Sequence, residues 1–156
     1  MGYRLFLILL LLVLLSDTSV AAVFVVTSNA DSGPGTLREA LTKAAANGSA
    51  EKDYINFNLP DLSEAGRTIA IKIDLPQITS DLIIDGSTQP GAPLSVNGAK
   101  IVIKGEGEKA LLVYCFILGS VADFEMYGLI VKNLYVADNP AFGAFGGDCA
   151  FHSRES

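Results

Sequence analysis

The chain has 156 residues, half of them apolar, with 17 Asp and Glu against 11 Lys and Arg and a net charge of −6. Its basic residues are scattered, which argues against nucleic acid and anionic membranes as partners, since both are held chiefly by clustered Lys and Arg. A single His and two Cys without CxxC spacing offer no metal-ligand set, and no cofactor is expected.

Residues 1–21 read as a secretory signal peptide. Arg4 supplies the positive charge, and Leu5 to Leu15 is an unbroken apolar run. At about 1.5 Å per residue that run spans roughly 16 Å, about half of a ~30 Å hydrocarbon core, which is short for a membrane span. Ser16 to Ala22 then places small residues at −3 and −1, either Ser19 with Ala21 or Val20 with Ala22. Cleavage is expected after Ala21 or Ala22, giving a secreted or cell-surface protein with no membrane span; the competing reading is an uncleaved anchor. Roughly 134 residues would remain, enough for one domain with a core. Export permits a disulfide between Cys115 and Cys149, while the apolar run around Cys115 favours a buried thiol.

Residues 22–50 are expected to hold a strand and a helix. Val23 to Thr27 is β-branched and aromatic, and Asn29 to Gly35 packs turn-formers together. Thr36 is an N-cap candidate and Glu39 completes a capping box. Leu37, Ala40, Leu41, Ala44 and Ala45 form one apolar stripe, Glu39 and Lys43 make an i,i+4 pair, and Asn47-Gly48 supplies a left-handed stop.

Residues 51–138 read as short strands separated by Gly, Asp, Asn and Pro: Tyr54 to Asn58, Thr68 to Ile73, Leu82 to Ile84, Lys100 to Lys104, Ala110 to Leu118, Phe124 to Tyr127, Leu129 to Val131 and Leu134 to Val136. Asp85-Gly86 closes one strand and Pro90-Gly91 is a type II turn pair. No Asn-Gly or Asp-Gly two-residue hairpin joins two strands. A β-branched triplet recurs instead, at Ile71–Ile73, Leu82–Ile84, Ile101–Ile103 and Leu129–Val131. Such triplets could stack as successive coils of a solenoid, and because their spacing is uneven the periodicity favours that only modestly over a sandwich. Residues 139–156 read as a Gly-rich, poorly ordered tail.

Three blocks carry a resemblance. Val25 to Leu41 (VVTSNADSGPGTLREAL) resembles the opening of a group of secreted bacterial proteins in which such a segment, related to the CSLREA module, precedes a right-handed parallel β-helix. Leu75 to Gly91 (LPQITSDLIIDGSTQPG) and Asp53 to Pro60 (DYINFNLP) are similar to later stretches of the same proteins, and Tyr127 to Leu134 (YGLIVKNL) to a generic β-helix coil. The chain departs at Thr36, where the module has Cys or Ser. The resemblance implies an all-β fold: the N-terminal portion of a right-handed parallel β-helix, with one amphipathic capping helix, of which roughly three to four coils would be present. It also implies further coils after Ser156, so the chain is expected to be incomplete.

β-Helices of this kind include polysaccharide lyases, which need clustered carboxylates for Ca²⁺ and a basic residue to take the sugar proton. The strand-associated carboxylates are Asp74, Asp81, Asp85, Asp123 and Asp138. Asp81 and Asp85 would lie roughly 13 Å apart on an extended strand, too far to share one ion. Asp85 before Gly86 reads as a turn-former, Arg38 belongs to the helix, Arg67 to a loop, and His152 to the tail. Asn47-Gly48-Ser49 matches a glycosylation acceptor but reads as a helix end, and Phe142, Phe145 and Phe151 could stack on sugars or begin another coil. No catalytic, cofactor-binding or metal residue is assigned. The expectation is a noncatalytic, adhesin-like or glycan-contacting β-helix segment. Its partners would be extracellular polysaccharide or surface proteins, with self-association through an open solenoid end. The alternative is the N-terminal part of a carbohydrate-active enzyme whose catalytic coils are absent here.

Overall fold

The structure is a computed structural model that describes residues 20–48, 51–106, 123–132 and 149–151. Strand β1 is Val23–Val26 and helix α1 is Leu37–Asn47; the remaining strands are β2 Asp53–Phe57, β3 Thr68–Ile71, β4 Leu82–Asp85, β5 Ile101–Gly105, β6 Phe124–Tyr127, β7 Leu129–Lys132 and β8 Cys149–Phe151. They form two sheets, one ordered β1-β2-β4-β6 and the other β3-β5-β7-β8. Every pairing is parallel except that of β7 with β8. From β2 to β7 the chain alternates between the sheets, so each of β4 to β7 lies beside the strand laid down two strands earlier.

Period-2 patterning puts one residue of every two into a core that the sheets share. In the first sheet Ile55 pairs with Ile84 and Ile84 with Met126, and Leu82 pairs with Phe124. In the second, Ile69 pairs with Ile103 and Ile103 with Val131. Ile55, Ile84, Ile69 and Ile103 are fully buried, all in one cluster. Each such side chain contributes on the order of 1.5–3 kcal/mol by leaving water.

The triplet pattern turns out to mix two sheets. Leu82–Ile84 belongs to the first, Ile101–Ile103 and Leu129–Val131 to the second. Ile71–Ile73 is not a stacked unit, because Thr68 opposite Val102 sets that register and the strand stops at Ile71. Triplets in alternating sheets cannot share one period, which accounts for the uneven spacing.

Helix α1 lies against β1 and β2. Thr36 is its N-cap, accepting from the Glu39 N–H at 3.3 Å. Glu39 reaches back one residue further than a capping box requires, accepting from the Gly35 N–H at 2.6 Å. Leu37, Ala40, Leu41 and Ala44 are buried, whereas Ala45 is only half-buried. Glu39 pairs with Lys43 at 2.9 Å, and Gly48 takes φ +87° after the last turn.

Close stacking demands glycine where β4 and β6 end. A Cβ on Gly86 would lie 2.4 Å from the Gly128 carbonyl oxygen, and one on Gly128 would lie 2.4 Å from the Ser87 nitrogen. The two turns touch backbone to backbone, and Gly128 also takes φ +62°.

Within the segment read as a poorly ordered tail, β8 pairs antiparallel with β7, Phe151 opposite Leu129. The signal peptide up to Ser19, the strands expected at 110–118 and 134–136, and Ser49, Cys115, Asp138, Phe142, Phe145 and His152 lie outside the described residues. Among the described residues no helix is long and apolar enough to cross a membrane.

Candidate functional site

The conspicuous sequence motifs turn out to hold loops. Arg38 donates to the Asp31 carbonyl at 3.0 Å, to the Asp31 carboxylate at 2.9 Å and to the Ile73 carbonyl at 2.9 Å, with Asp74 O as a further acceptor. It thereby ties the helix to the turn before it and to the segment after β3. Gln89 is wholly buried; its Oε1 accepts from the Leu59 N–H at 2.7 Å and its Nε2 donates to the Leu59 carbonyl at 3.0 Å. Thr88 Oγ1 accepts from the Phe57 N–H at 2.8 Å and donates to the Asp85 carbonyl at 2.7 Å. Asp85 Oδ1 accepts from the Ser87 N–H at 2.9 Å, the turn role expected of it. Arg67 is buried and donates to the Ala92 carbonyl at 2.7 Å.

Polar side chains gather on the outer face of the first sheet. Opposite Phe124 and Met126, which are partly buried against the core, β6 turns Glu125 and Tyr127 outward. The register sets Glu125 beside Ile83, with Tyr54 next in that row, and Tyr127 beside Asp85, with Asn56 next in that row. Two residues before Tyr54, Ile83 and Glu125, just ahead of each strand, stand Lys52, Asp81 and Asp123. Lys52 crosses β4 to bond Glu125 Oε1 at 2.8 Å and the Asp123 carboxylate, 71 residues away in sequence. Tyr127 Oη donates to Glu125 Oε2, and Asp81 Oδ1 accepts from the Asp123 N–H at 3.1 Å. Beside this polar end lie Val23, Val25 and Tyr54, 59%, 48% and 39% exposed.

Electrostatics decide what this face can do. The bond it donates to Asp123, then that to Glu125, holds the Lys52 ammonium above the ordinary lysine value against the opposing effect of desolvation. A lysine kept protonated in this way is a poor general base, because the pKa of an effective base lies near the working pH. One ammonium against the carboxylates of Asp81, Asp123 and Glu125 leaves the patch acidic, which disfavours uronate-rich ligands and suits hydroxyl-rich neutral ones. Among the described residues no three His, Cys, Asp or Glu gather as a metal site. A cleft of about 210 Å³ between β1 and α1, lined by Val23, Phe24, Val25, Thr36, Glu39, Ala40 and Lys43, falls below the ~300–1,000 Å³ usual for small-molecule pockets.

Of the acidic residues weighed from the sequence, Asp81 and Asp123 come together, Asp85 lies at the other end of β4, and Asp74 supplies a carbonyl to Arg38. Lys52, Tyr54, Glu125 and Tyr127 escape sequence reasoning. The alternation in Phe124–Tyr127 could have flagged Glu125 and Tyr127 as outward, but joining them to Lys52 requires the register. Comparison with protein-family models, with curated proteins and with solved structures returns no match for the chain.

Proposed function

We propose that this chain is the N-terminal segment of a secreted or surface-displayed right-handed parallel β-helix that contacts extracellular glycan without catalysing its breakdown. The alternation between two parallel sheets supports the helical coil, and parallel crossovers are right-handed in about 98% of cases. The resemblance of the Val25–Leu41 and Leu75–Gly91 blocks to the openings of such proteins supports the same reading, as does the amphipathic helix laid against β1 and β2.

The observation that carries the noncatalytic part is Lys52 held protonated between Asp123 and Glu125, its proton committed to an ion pair. The face retains the means to bind: carboxylate acceptors, a tyrosine hydroxyl and the half-exposed ring of Tyr54, a flat apolar surface beside hydrogen-bonding groups.

Affinity electrophoresis of the exported protein through gels loaded with a neutral glycan or with a polyuronate tests this reading. Retardation is expected in the neutral gel and weakening by roughly tenfold in Tyr54→Ala, about 1.4 kcal/mol. Unsaturated uronate released from pectate or alginate at any Ca²⁺ level would overturn the noncatalytic reading, and equal mobility in all gels would overturn glycan contact.

A further inference from the structure

Asp53 opens β2 and is wholly buried. The register β1–β2 sets it beside Ala22, the residue before the first strand. Its Oδ1 accepts from the Ala22 N–H at 2.8 Å and from Asn47 Nδ2 at 2.8 Å, while its Oδ2 is buried with no partner. A buried carboxylate oxygen left without a donor is costly, and a buried carboxylate without a cation more so. The nitrogen that already touches this carboxylate belongs to one of the two residues at which the leader is expected to be cut.

We infer that the leader is removed between Ala21 and Ala22 and that the α-ammonium so created is the missing partner of Asp53, locking the first strand to the second. The inference rests on the export reading. Hydrolysis adds water across the Ala21–Ala22 bond: the hydroxyl goes to the Ala21 carbonyl carbon, which leaves as a carboxylate. The Ala22 nitrogen departs as an amine and takes up a proton. The amide supplies one N–H; the ammonium supplies three, enough for Oδ1 and the orphaned Oδ2 together, and brings the positive charge.

Ala22 stays in place after the cut, because its carbonyl accepts from the Tyr54 N–H at 2.8 Å. Cutting one residue later would discard both that ladder bond and the nitrogen facing Asp53. Ser19 and Ala21 give this bond the small −3 and −1 residues that leader-removing peptidases accept.

The full chain, expressed with its own leader in a secreting host, provides the test by intact mass and N-terminal sequencing of the exported species. A start at Ala22 is expected. A start at Val23 overturns the inference while export stands; a cell-retained chain that keeps its leader overturns export and the inference with it. On the exported protein, acetylation of the α-amine at neutral pH should run at least about tenfold slower folded than in urea, and Asp53→Asn should abolish that protection. Should Asp53→Asn not fold, the wild-type ratio decides alone. Equal rates in the folded and unfolded wild type, or full protection surviving in folded Asp53→Asn, overturn the ion pair.

Discussion

The two sheets share one core and bury the same kinds of side chain, yet their outer faces carry opposite charge. The first sheet shows Glu125 and Asp85 outward, with Asp81 and Asp123 at the strand starts and Lys52 bridging them. The second sets Lys104 directly beside Lys132, with Ala70 next in the row. Inward positions are nearly interchangeable between the sheets because burial admits only apolar residues there. Outward positions escape that demand, so a difference between the faces reflects what each face meets.

The largest way to break this comparison is to attack what both sheets share. Ile84→Ala and Ile103→Ala, one from each sheet, should each lose about 2–5 kcal/mol, read from denaturant midpoints at unchanged m-value. Leu41→Asp puts a charge where α1 packs on the core, at a residue 3% exposed, and should unfold or aggregate the protein. A Leu41→Asp protein that melts like wild type would overturn the capping role expected of α1.

A smaller effect separates motif from face. Gln89→Ala leaves the Leu59 N–H and carbonyl without partners in a buried loop, at a cost of about 1–3 kcal/mol, while glycan retardation should be unchanged. Tyr54→Ala should do the reverse. If Gln89→Ala abolished retardation in a folded protein, the motif loop rather than the outer face would be the contact.

What the sequence made legible follows from range. Thr36, Glu39, the helix stripe and Gly48 act within a few residues of one another, and they stand where local rules put them apart from the half-buried Ala45 and the one-residue reach of Glu39 to Gly35. Strands β1 to β7 fall within a residue or two of the expected ones, since alternation is local, whereas the three-residue β8 is too short to show it. The Lys52–Glu125 and Ala22–Asp53 contacts span 73 and 31 residues and exist only once the strands are in register. Sheet membership of the triplets failed for the same reason: alternation tells a strand from a loop but not one sheet from another.

The ion pairs sharpen the comparison through pH. Lys52 is raised by its carboxylate partners, so its contribution is complete below the ordinary lysine value of 10.5 and disappears as pH climbs through the higher folded value. Glu39 on α1 is lowered, first by Lys43 and then by the Gly35 N–H; its contribution is present above 4.5 and disappears as pH falls through the lower folded value. Thermal melts from pH 3 to pH 11 should therefore lose an alkaline decrement in Lys52→Met and an acidic one in Glu39→Gln. Neither variant should lose both.

The smallest effect concerns the second sheet. Lys104 and Lys132 are in-register neighbours, and Glu106 lies 3.6 Å from Lys104 with both side chains about 40% exposed. Like charges facing each other across a ladder repel, and exposed pairs of this kind recover little. Lys132→Glu converts the repulsion into an attraction and should stabilise the protein by about 0.2–1 kcal/mol, read as a raised denaturant midpoint that shrinks as salt is added. The corresponding exchange on the first sheet, Glu125→Lys, places a second cation against Lys52 and should destabilise it. Stabilisation by Lys132→Glu together with destabilisation by Glu125→Lys would show that each face carries a local charge of its own. The reverse pair of signs is what the net charge of −6 alone would produce, since the first exchange makes it more negative and the second less, and would mean that the contrast between the faces has no energetic content.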